Sequence, residues 1–266
     1  MTPFLPPLGL TCYRLFLVLV LTVFRMAGVI AASLVRGWSG TRVAGQASQW
    51  AEALVSRLDI DIVLEGRLPN RGVLVVSNHR SYLDIVVILS HIESTFLAKA
   101  ELRKWPVFGY AAMKGNTVFV DRADPKSREI SRRQLAERLD QGISVVVFPE
   151  GTTHEGPGLL EFKKGIFHMA AKKGIPVVPV AILYENRAAA WVGEDSFIPH
   201  FLKIFKNRRL KTHMTVGPVL KEDNAEDLKA ACHGFIDQAL ASKEDKKGKP
   251  ADPTKACIIS GQTLTS

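Results

Sequence analysis

Residues 52–241 alternate short β-branched runs with longer helical stretches, and this alternation constrains the fold more than any other feature of the chain. Three of the runs, residues 72–77, 143–148 and 175–183, have the length and composition of strands that are buried on both faces. Residues 58–64 alternate between apolar and polar, which is typical of a half-buried strand. The pattern predicts a single layered α/β domain with a mixed sheet flanked by helices.

The helical stretches of this region have recognisable ends. Residues 125–141 begin with a proline, which suits the first helical position, and they stop at Gly142. Residues 159–173 stop at Gly174, and a last helix is predicted over residues 225–241. Each predicted helix therefore separates strands or closes the domain.

Residues 1–51 contain no Asp or Glu, and arginines flank and interrupt their two apolar blocks, 15–24 and 26–35. The blocks together can span a bilayer only if Arg25 is tolerated near the middle. A spanning anchor, helices that lie in the interface and a cleaved signal peptide all remain open, although a clean small-residue cleavage site is missing. Because acid-free apolar segments flanked by arginine bind anionic leaflets, we expect a helical membrane-associated segment in front of the domain.

Charge and cysteine content narrow the class of protein further. The formal net charge of +9 favours anionic partners such as a membrane surface, and because no nucleic-acid-binding module is recognisable, we expect no nucleic-acid partner.

Residues 198–215 interleave basic and apolar residues, which fits either an ordinary solvated face or a segment that contacts phospholipid headgroups. Residues 242–266 lose periodicity and predict a disordered basic tail. Three widely separated cysteines predict neither a disulfide framework nor a zinc site.

The first polar cluster, residues 78–84, directly follows a predicted strand and contains His79 and Asp84. In one continuous helix the side chains of His79 and Asp84 would lie on different faces. They can therefore meet only if His79 is in a loop and Asp84 is in the first turn of the next helix. Residues 81–84 resemble a capping box, which supports that arrangement. The two residues are then either a loop histidine and a helix cap, or a general base and the carboxylate that orients it.

Two more polar clusters lie at predicted strand ends. Residues 115–122 end in Asp121 and Arg122, and this arginine either clamps a phosphate or pairs with Asp121. Residues 148–152 read Phe-Pro-Glu-Gly-Thr, which is either a turn or a site for substrate hydroxyls and an anion. The sequence motifs of serine hydrolases, P-loop nucleotide hydrolases and zinc hydrolases are absent, so none of these activities has support from the sequence.

In this order, the clusters resemble the motifs of the phospholipid and glycerol-phosphate acyltransferase family, of the 1-acylglycerol-3-phosphate acyltransferase type. The matched segments are residues 78–84 (N-H-x-S-x-x-D), 115–122 (G-x-x-x-F-[IV]-D-R), 148–152 (F-P-E-G-T) and 178–182 (V-P-V-[AS]-I). Residues 162–165 are similar to the F-K-x-G that usually follows the third motif. The resemblance covers about residues 55–220.

The resemblance implies acyl transfer without a cofactor, a metal or a covalent enzyme intermediate. The donor would be acyl-CoA or acyl-carrier protein, and the acceptor the free hydroxyl of a lysophospholipid, with 1-acyl-sn-glycerol-3-phosphate giving phosphatidic acid. His79 would activate this hydroxyl as the general base and Asp84 would orient it. The residues that would bind the acceptor are Lys99, Arg122, Glu150, Gly151 and Thr152.

The sequence departs from the family pattern after the third motif, where Thr153 and His154 replace the usual Arg-Ser. This difference leaves open a phosphate-free acceptor such as lyso-ornithine lipid. An alternative of another class is a catalytically silent, membrane-bound lipid-binding protein. Because thioester donors are made in the cytosol, and unpaired cysteines suit that compartment, we expect the catalytic face to be cytosolic, with an apolar groove for the acyl chain beside it.

Overall fold

The computed structural model describes residues 7–193, 195–206 and 209–247. The described residues form the α-helices α1 Pro7–Arg36, α2 Gly40–Arg57, α3 Leu83–Leu89, α4 Phe108–Lys114, α5 Pro125–Asp140, α6 Gly165–Lys173, α7 Phe197–Phe205 and α8 Ala225–Lys247. Their strands are β1 Ile60–Glu65, β2 Leu74–Ser77, β3 Ser94–Lys99, β4 Val118–Val120, β5 Ser144–Val147, β6 Val177–Tyr184 and β7 Leu210–Val216. Short 3₁₀ helices cover Ala100–Lys104 and Arg187–Ala189.

The seven strands form one mixed sheet in the order β1-β7-β6-β2-β5-β3-β4, which confirms the predicted fold class. Neighbouring strands are parallel except β6 and β7, which are antiparallel. Strands β6, β2, β5, β3 and β4 therefore run in one direction, and their carboxyl ends meet at one edge of the sheet. Ligand sites of α/β sheets form outside such an edge, and the predicted site residues follow these strands.

The sheet separates two apolar cores because successive side chains of a strand point to opposite faces. In β5, Val146 packs with residues of α2, α3 and α7, whereas Val145 and Val147 pack with residues of α5, α6 and α8. All three valines are buried, as a strand covered by helices on both faces requires. The central strands are thereby held rigidly, and so are the loops at their ends.

Helix α1 is docked on the domain by one face and presents apolar residues on the other. Arg14 is buried, and its guanidinium donates to Asp59 at 2.6 Å and to the backbone carbonyl of Phe205 at 3.0 Å. The exposed large apolar side chains of the helix include Leu8, Phe16, Leu19, Val20, Val23, Phe24, Leu34 and Val35. By length and composition, Leu8–Arg36 is long and apolar enough to cross a membrane.

Helix α2 contains the predicted boundary between residues 51 and 52. Ala51 and Leu54 are buried in the core beneath the sheet, so this helix is part of the α/β domain and links it to α1. Trp50 of α2 donates through its indole N–H to Thr22 of α1 at 3.1 Å, which joins the two helices as a hairpin.

Some boundaries differ from those predicted. Helix α5 agrees with the prediction to one residue and is capped by Asp124, whereas α6 begins at Gly165 and not at residue 159. Helix α8 continues to Lys247, past the predicted start of the tail at residue 242, and residues 248–266 lie outside the described residues. The segment 198–215 forms most of α7 and β7, and Phe201 and Phe205 of the helix are buried in the core.

Candidate active site

His79 and Asp84 form a hydrogen-bonded pair at the carboxyl end of β2. His79 lies in the loop after the strand and Asp84 in the first turn of α3, and 2.8 Å separates His79 Nδ1 from Asp84 Oδ2. An ionised carboxylate only accepts, so Nδ1 carries the proton and Nε2 is left with a lone pair. The His79 ring stacks on Phe148, with the ring centroids 4.0 Å apart. The side chain is about one-fifth exposed, which leaves it accessible to a substrate.

Asp84 is held in place by several donors in addition to His79. Its side chain is fully buried, and Oδ2 accepts from the backbone N–H groups of Arg80 at 2.7 Å and Ser81 at 2.9 Å. Oδ1 accepts from the hydroxyl of Tyr184 at 2.7 Å. Burial, followed by the charge of Asp84, raises the pKa of Tyr184 well above its ordinary value, so this phenol stays a donor. Such a set of donors stabilises the charged form of a buried carboxylate.

Glu150, which is predicted to bind the acceptor, supports the loop that carries His79. One carboxylate oxygen accepts from the backbone N–H of His79 at 2.7 Å, and the other accepts from the N–H of Leu160 at 3.0 Å. The second oxygen also lies 2.6 Å from His154 Nε2. Protein groups thus engage both carboxylate oxygens of Glu150, and its role in binding the acceptor stays a prediction.

His154 and Arg80 complete the connection between the first and third motifs. Arg80 Nη1 lies 2.8 Å from His154 Nδ1, and Arg80 Nη2 donates to the carbonyl of Gly158 at 2.6 Å. Burial and then the charge of Arg80 lower the pKa of His154, against the opposing effect of Glu150. His154 is therefore a neutral bridge that donates to Glu150 and accepts from Arg80.

Arg122, Gly151 and Thr152 lie at the neighbouring strand ends. Arg122 donates to the carbonyl of Gly151, and burial lowers the pKa of its guanidinium. The predicted pairing of Arg122 with Asp121 is not formed, because Asp121 accepts from the backbone N–H of Ala123 at 2.9 Å. Thr152 is exposed, and its hydroxyl contacts only the carbonyl of Thr153 at 3.5 Å within the described part of the chain.

Lys99 is exposed at the end of β3 and lies beside Val120 of β4 in the strand register. It is thus on the same edge of the sheet as Arg122, which follows β4 by two residues. The structure gives no contact from the Lys99 side chain to another predicted site residue among those described. Its role in binding the acceptor stays a prediction.

An apolar cavity of about 310 Å³ reaches His79 from beneath the N-terminal helices. Its volume is at the lower end of the range of about 300–1,000 Å³ found for small-molecule sites. Residues of α1, α2, α3 and α4 line it, together with His79 and five aromatic side chains: Tyr82, Phe96, Trp105, Trp191 and Phe197. This cavity corresponds to the apolar groove that the sequence led us to expect.

Sequence reasoning missed three residues of the site: Tyr184, Arg80 and Trp191. Tyr184 follows the fourth motif by two residues, which was the one available signal. Arg80 stands inside the first motif at a variable position, and Trp191 joins the site because its backbone N–H donates to the Arg80 carbonyl at 2.8 Å. Within the described residues, no three His, Cys, Asp or Glu side chains group as a metal site.

Comparisons with known proteins show which family the chain resembles. The family model for acyltransferases matches residues 59–183, a segment that contains His79 and all the predicted site residues. The chain is 35% identical over 170 residues to a lyso-ornithine lipid O-acyltransferase of Pseudomonas aeruginosa, covering 62% of this chain and 66% of that protein. It is 35% identical over 146 residues to a 1-acyl-sn-glycerol-3-phosphate acyltransferase of Neisseria meningitidis, covering 54% of this chain and 57% of the relative.

A solved structure extends the similarity over nearly the whole molecule. The 1-acyl-sn-glycerophosphate acyltransferase PlsC of Thermotoga maritima superposes with a TM-score of 0.70 at 26% identity, and the match covers 92% of this chain and 98% of that one. The fold, the family match and the relatives lead to one classification. The chain belongs to the acyltransferase family of enzymes, of the 1-acyl-sn-glycerol-3-phosphate acyltransferase type.

Proposed function

We propose that the protein transfers a fatty acyl group from a thioester to the free hydroxyl of a lysolipid, with His79 as the general base. The observation that best supports this role is the His79–Asp84 hydrogen bond, which fixes the proton on Nδ1 and leaves Nε2 free to accept a proton from the substrate. The lysolipid oxygen attacks the thioester carbonyl as its proton passes to Nε2. The tetrahedral intermediate then breaks the C–S bond, and the leaving thiolate takes the proton from the imidazolium. Asp84 stabilises that imidazolium throughout.

The cavity beside His79 supports an acyl-chain ligand. Its walls are mostly apolar residues of the helices, and both His79 and Tyr82 line it. We propose that an acyl chain lies in this cavity with its reacting group at His79. The donor is acyl-CoA or acyl-carrier protein in this proposal, and the reaction uses no cofactor, because proton transfer and positioning suffice for thioester acyl transfer.

For the acceptor we propose 1-acyl-sn-glycerol-3-phosphate, which yields phosphatidic acid. The similarity to the Neisseria meningitidis enzyme supports this choice. One specific observation favours a second candidate, lyso-ornithine lipid. Thr153 and His154 replace the usual basic continuation of the third motif, and their side chains contact Trp191 and Glu150. The Pseudomonas aeruginosa relative, a lyso-ornithine lipid O-acyltransferase, supports the second candidate.

We also propose that α1 lies within one leaflet, with the catalytic domain on the cytosolic side. The contacts of Arg14 with Asp59 and of Arg25 with Gln49 attach the helix to the domain at points 11 residues, or about 16 Å, apart. A helix held along such a length cannot also be surrounded by lipid. Its exposed face is apolar, as an interfacial helix requires.

The placement of α1 is tested by labelling in reconstituted vesicles. Single cysteines at Thr2→Cys and Ser242→Cys, in a cysteine-free background, are treated with a membrane-impermeant maleimide. If α1 lies in one leaflet, the reagent labels both positions from the same side of the membrane. Labelling from opposite sides would show that α1 spans the bilayer.

The activity is tested with the purified full-length protein and labelled acyl-CoA and acyl-carrier protein. Lysophosphatidic acid and lyso-ornithine lipid are offered in parallel, and His79→Ala is compared with His168→Ala, an exposed histidine on α6. We expect transfer that His79→Ala lowers by about 10²–10⁴-fold and that His168→Ala leaves intact. A folded wild-type protein that binds lysolipid but transfers nothing to either acceptor would indicate a silent lipid-binding protein.

A further inference from the structure

Lys163 lies against the third motif although it stands ten residues beyond Thr153. The preceding residue, Phe162, is buried in the core, and the backbone N–H of Lys163 donates to the carbonyl of Pro149 at 3.0 Å. These two contacts fix the main chain of Lys163 beside the loop that carries Glu150 and Gly151. The side chain therefore starts from a defined position in the site.

The Lys163 side chain extends across Gly151. A Cβ atom placed on this glycine would lie 2.7 Å from Lys163 Nζ and 3.0 Å from Cε. Gly151 also has a φ of +77°, a conformation that other residues rarely adopt. Only glycine lets the ammonium group come this close to the backbone here.

Arg122 reaches the same glycine from another strand end. Its guanidinium donates to the Gly151 carbonyl, so two positive side chains from separate segments converge on one residue. Among the described residues, no carboxylate oxygen lies within 4.0 Å of a side-chain nitrogen of Arg122 or Lys163. The charge of Glu101 acts on Arg122 without a direct ion pair. Two like charges near one glycine, neither of them paired with a carboxylate, attract an anion.

Thr153 and His154, which stand where the family usually has Arg-Ser, do not supply a positive charge for binding an anion. The hydroxyl of Thr153 donates to the carbonyl of Trp191. His154 is neutral and is engaged by Glu150 and Arg80. Lys163, the lysine of the F-K-x-G segment, is consequently the residue that supplies a positive charge at this end of the third motif.

We propose that Lys163, together with Arg122, binds the anionic group of the acceptor headgroup on the two sides of Gly151. The group is a phosphate monoester in lysophosphatidic acid or a carboxylate in lyso-ornithine lipid, and both accept hydrogen bonds from Lys and Arg. The inference rests on the proposed function, since it assumes that the acceptor hydroxyl reacts at His79. It assigns a specificity role to Lys163 that the motif comparison did not.

The chain offers a matched control in the adjacent lysine. Lys164 is also exposed, but its charge acts on Glu226 of α8 and not on Gly151. The variants Lys163→Ala, Lys163→Arg and Lys164→Ala therefore change the same residue type at neighbouring positions. Each is assayed as the full chain with lysophosphatidic acid, lyso-ornithine lipid and the uncharged monoacylglycerol as acceptors.

We expect Lys163→Ala to raise the apparent KM for a charged acceptor by about tenfold or more, with little change for the acyl donor. Lys163→Arg should recover most of the loss, and Lys164→Ala should match the wild type. An effect on lysophosphatidic acid alone identifies a phosphate site, and an effect on lyso-ornithine lipid alone identifies a carboxylate site. An equal loss with monoacylglycerol, or no loss with any acceptor, would overturn the proposal.

A binding measurement separates this proposal from the proposed function. The quenching of tryptophan fluorescence by each lipid in detergent gives an affinity even if no acyl transfer occurs. Weaker binding of a charged lysolipid by Lys163→Ala than by Lys164→Ala supports the anion site whether or not the protein is catalytically active. Equal affinities of these two variants and the wild type for both charged lipids would contradict it.

Discussion

The His79–Asp84 pair and the Arg122–Lys163 pair lie at the same sheet edge but are held in different ways. Asp84 is fully buried and accepts hydrogen bonds from one side chain hydroxyl, two backbone N–H groups and His79 itself. Arg122 and Lys163 share only their contacts with Gly151 and keep part of their surface open. General base catalysis needs a fixed geometry, whereas headgroup recognition needs accessible charge. Substitutions in the His79–Asp84 pair should thus lower kcat, and substitutions in the Arg122–Lys163 pair should raise the KM for the acceptor.

The largest expected effect is that of Asp84→Asn. The amide cannot accept all the hydrogen bonds that the carboxylate accepts, and it no longer stabilises the His79 imidazolium. We expect kcat to fall by about 10²–10⁴-fold with little change in the KM for the acceptor. Steady-state kinetics beside the surface control Asp140→Asn checks this, with circular dichroism to establish folding. An unchanged kcat in a folded variant would remove Asp84 from the mechanism.

Arg122→Ala should have the next largest effect, and this effect should be on the KM for the acceptor rather than on kcat. The loss of one charge-assisted hydrogen bond is worth about 10- to 100-fold in the KM for an anionic acceptor. The KM for the acyl donor should stay close to that of the wild type. The exposed Arg133 of α5 supplies the control, Arg133→Ala. Equal increases in both KM values would place Arg122 outside the acceptor site.

Tyr184→Phe tests whether the donors around Asp84 contribute to its positioning. The substitution removes only the hydroxyl that donates to Asp84 Oδ1. A net hydrogen bond of this kind predicts a decrease in kcat of about 3- to 10-fold, with the KM unchanged. Tyr110→Phe, at an exposed tyrosine, is the matched control. A change in KM alone would argue against a role that acts through Asp84.

The smallest effect concerns His154 and is a change in stability with pH. Burial and Arg80 hold the pKa of His154 below 6.5 in the folded protein, so the unfolded chain binds more protons as the pH falls. The stabilising contribution is complete above pH 6.5 and is lost as the pH decreases through the folded-state pKa. The Tm of the wild type should drop more between pH 7.5 and about 5.5 than that of His154→Gln. Identical pH profiles for both proteins, with His168→Gln as control, would exclude this coupling.

Short sequence patterns predicted the strands and helix ends that depend mainly on neighbouring residues. The runs of β-branched residues located β2, β5 and β6, and Pro125 and Gly142 marked the two ends of α5. Helix α6 was predicted six residues too early because residues 159–164 look helical alone. In the structure the backbone N–H groups of Leu160 and Lys163 instead donate to Glu150 and to the carbonyl of Pro149.

In the site, too, contacts between residues close in the sequence could be foreseen, whereas contacts between distant residues could not. The spacing of His79 and Asp84 permitted their contact, because the loop and the helix start are encoded within seven residues, but it left a helix cap as the alternative. The family resemblance was needed to choose the pair. Tyr184 lies 100 residues from Asp84, and only the order of the strands brings the two together. The position of Arg14 could not be predicted either, because its partners Asp59 and Phe205 come from distant segments.

Helix α1 has a consequence for the route by which substrates arrive. Val18 and Thr22 on its docked face line the cavity at His79, while its opposite face is apolar and exposed. With this helix embedded in a leaflet, the membrane and the cavity share a single wall one helix thick. An acyl chain can then pass sideways from the bilayer into the cavity without entering water, avoiding a cost of about 0.8 kcal/mol for each methylene exposed. The enzyme would find its lipid by two-dimensional diffusion, and its rate would follow the surface density of the lipid rather than its bulk concentration.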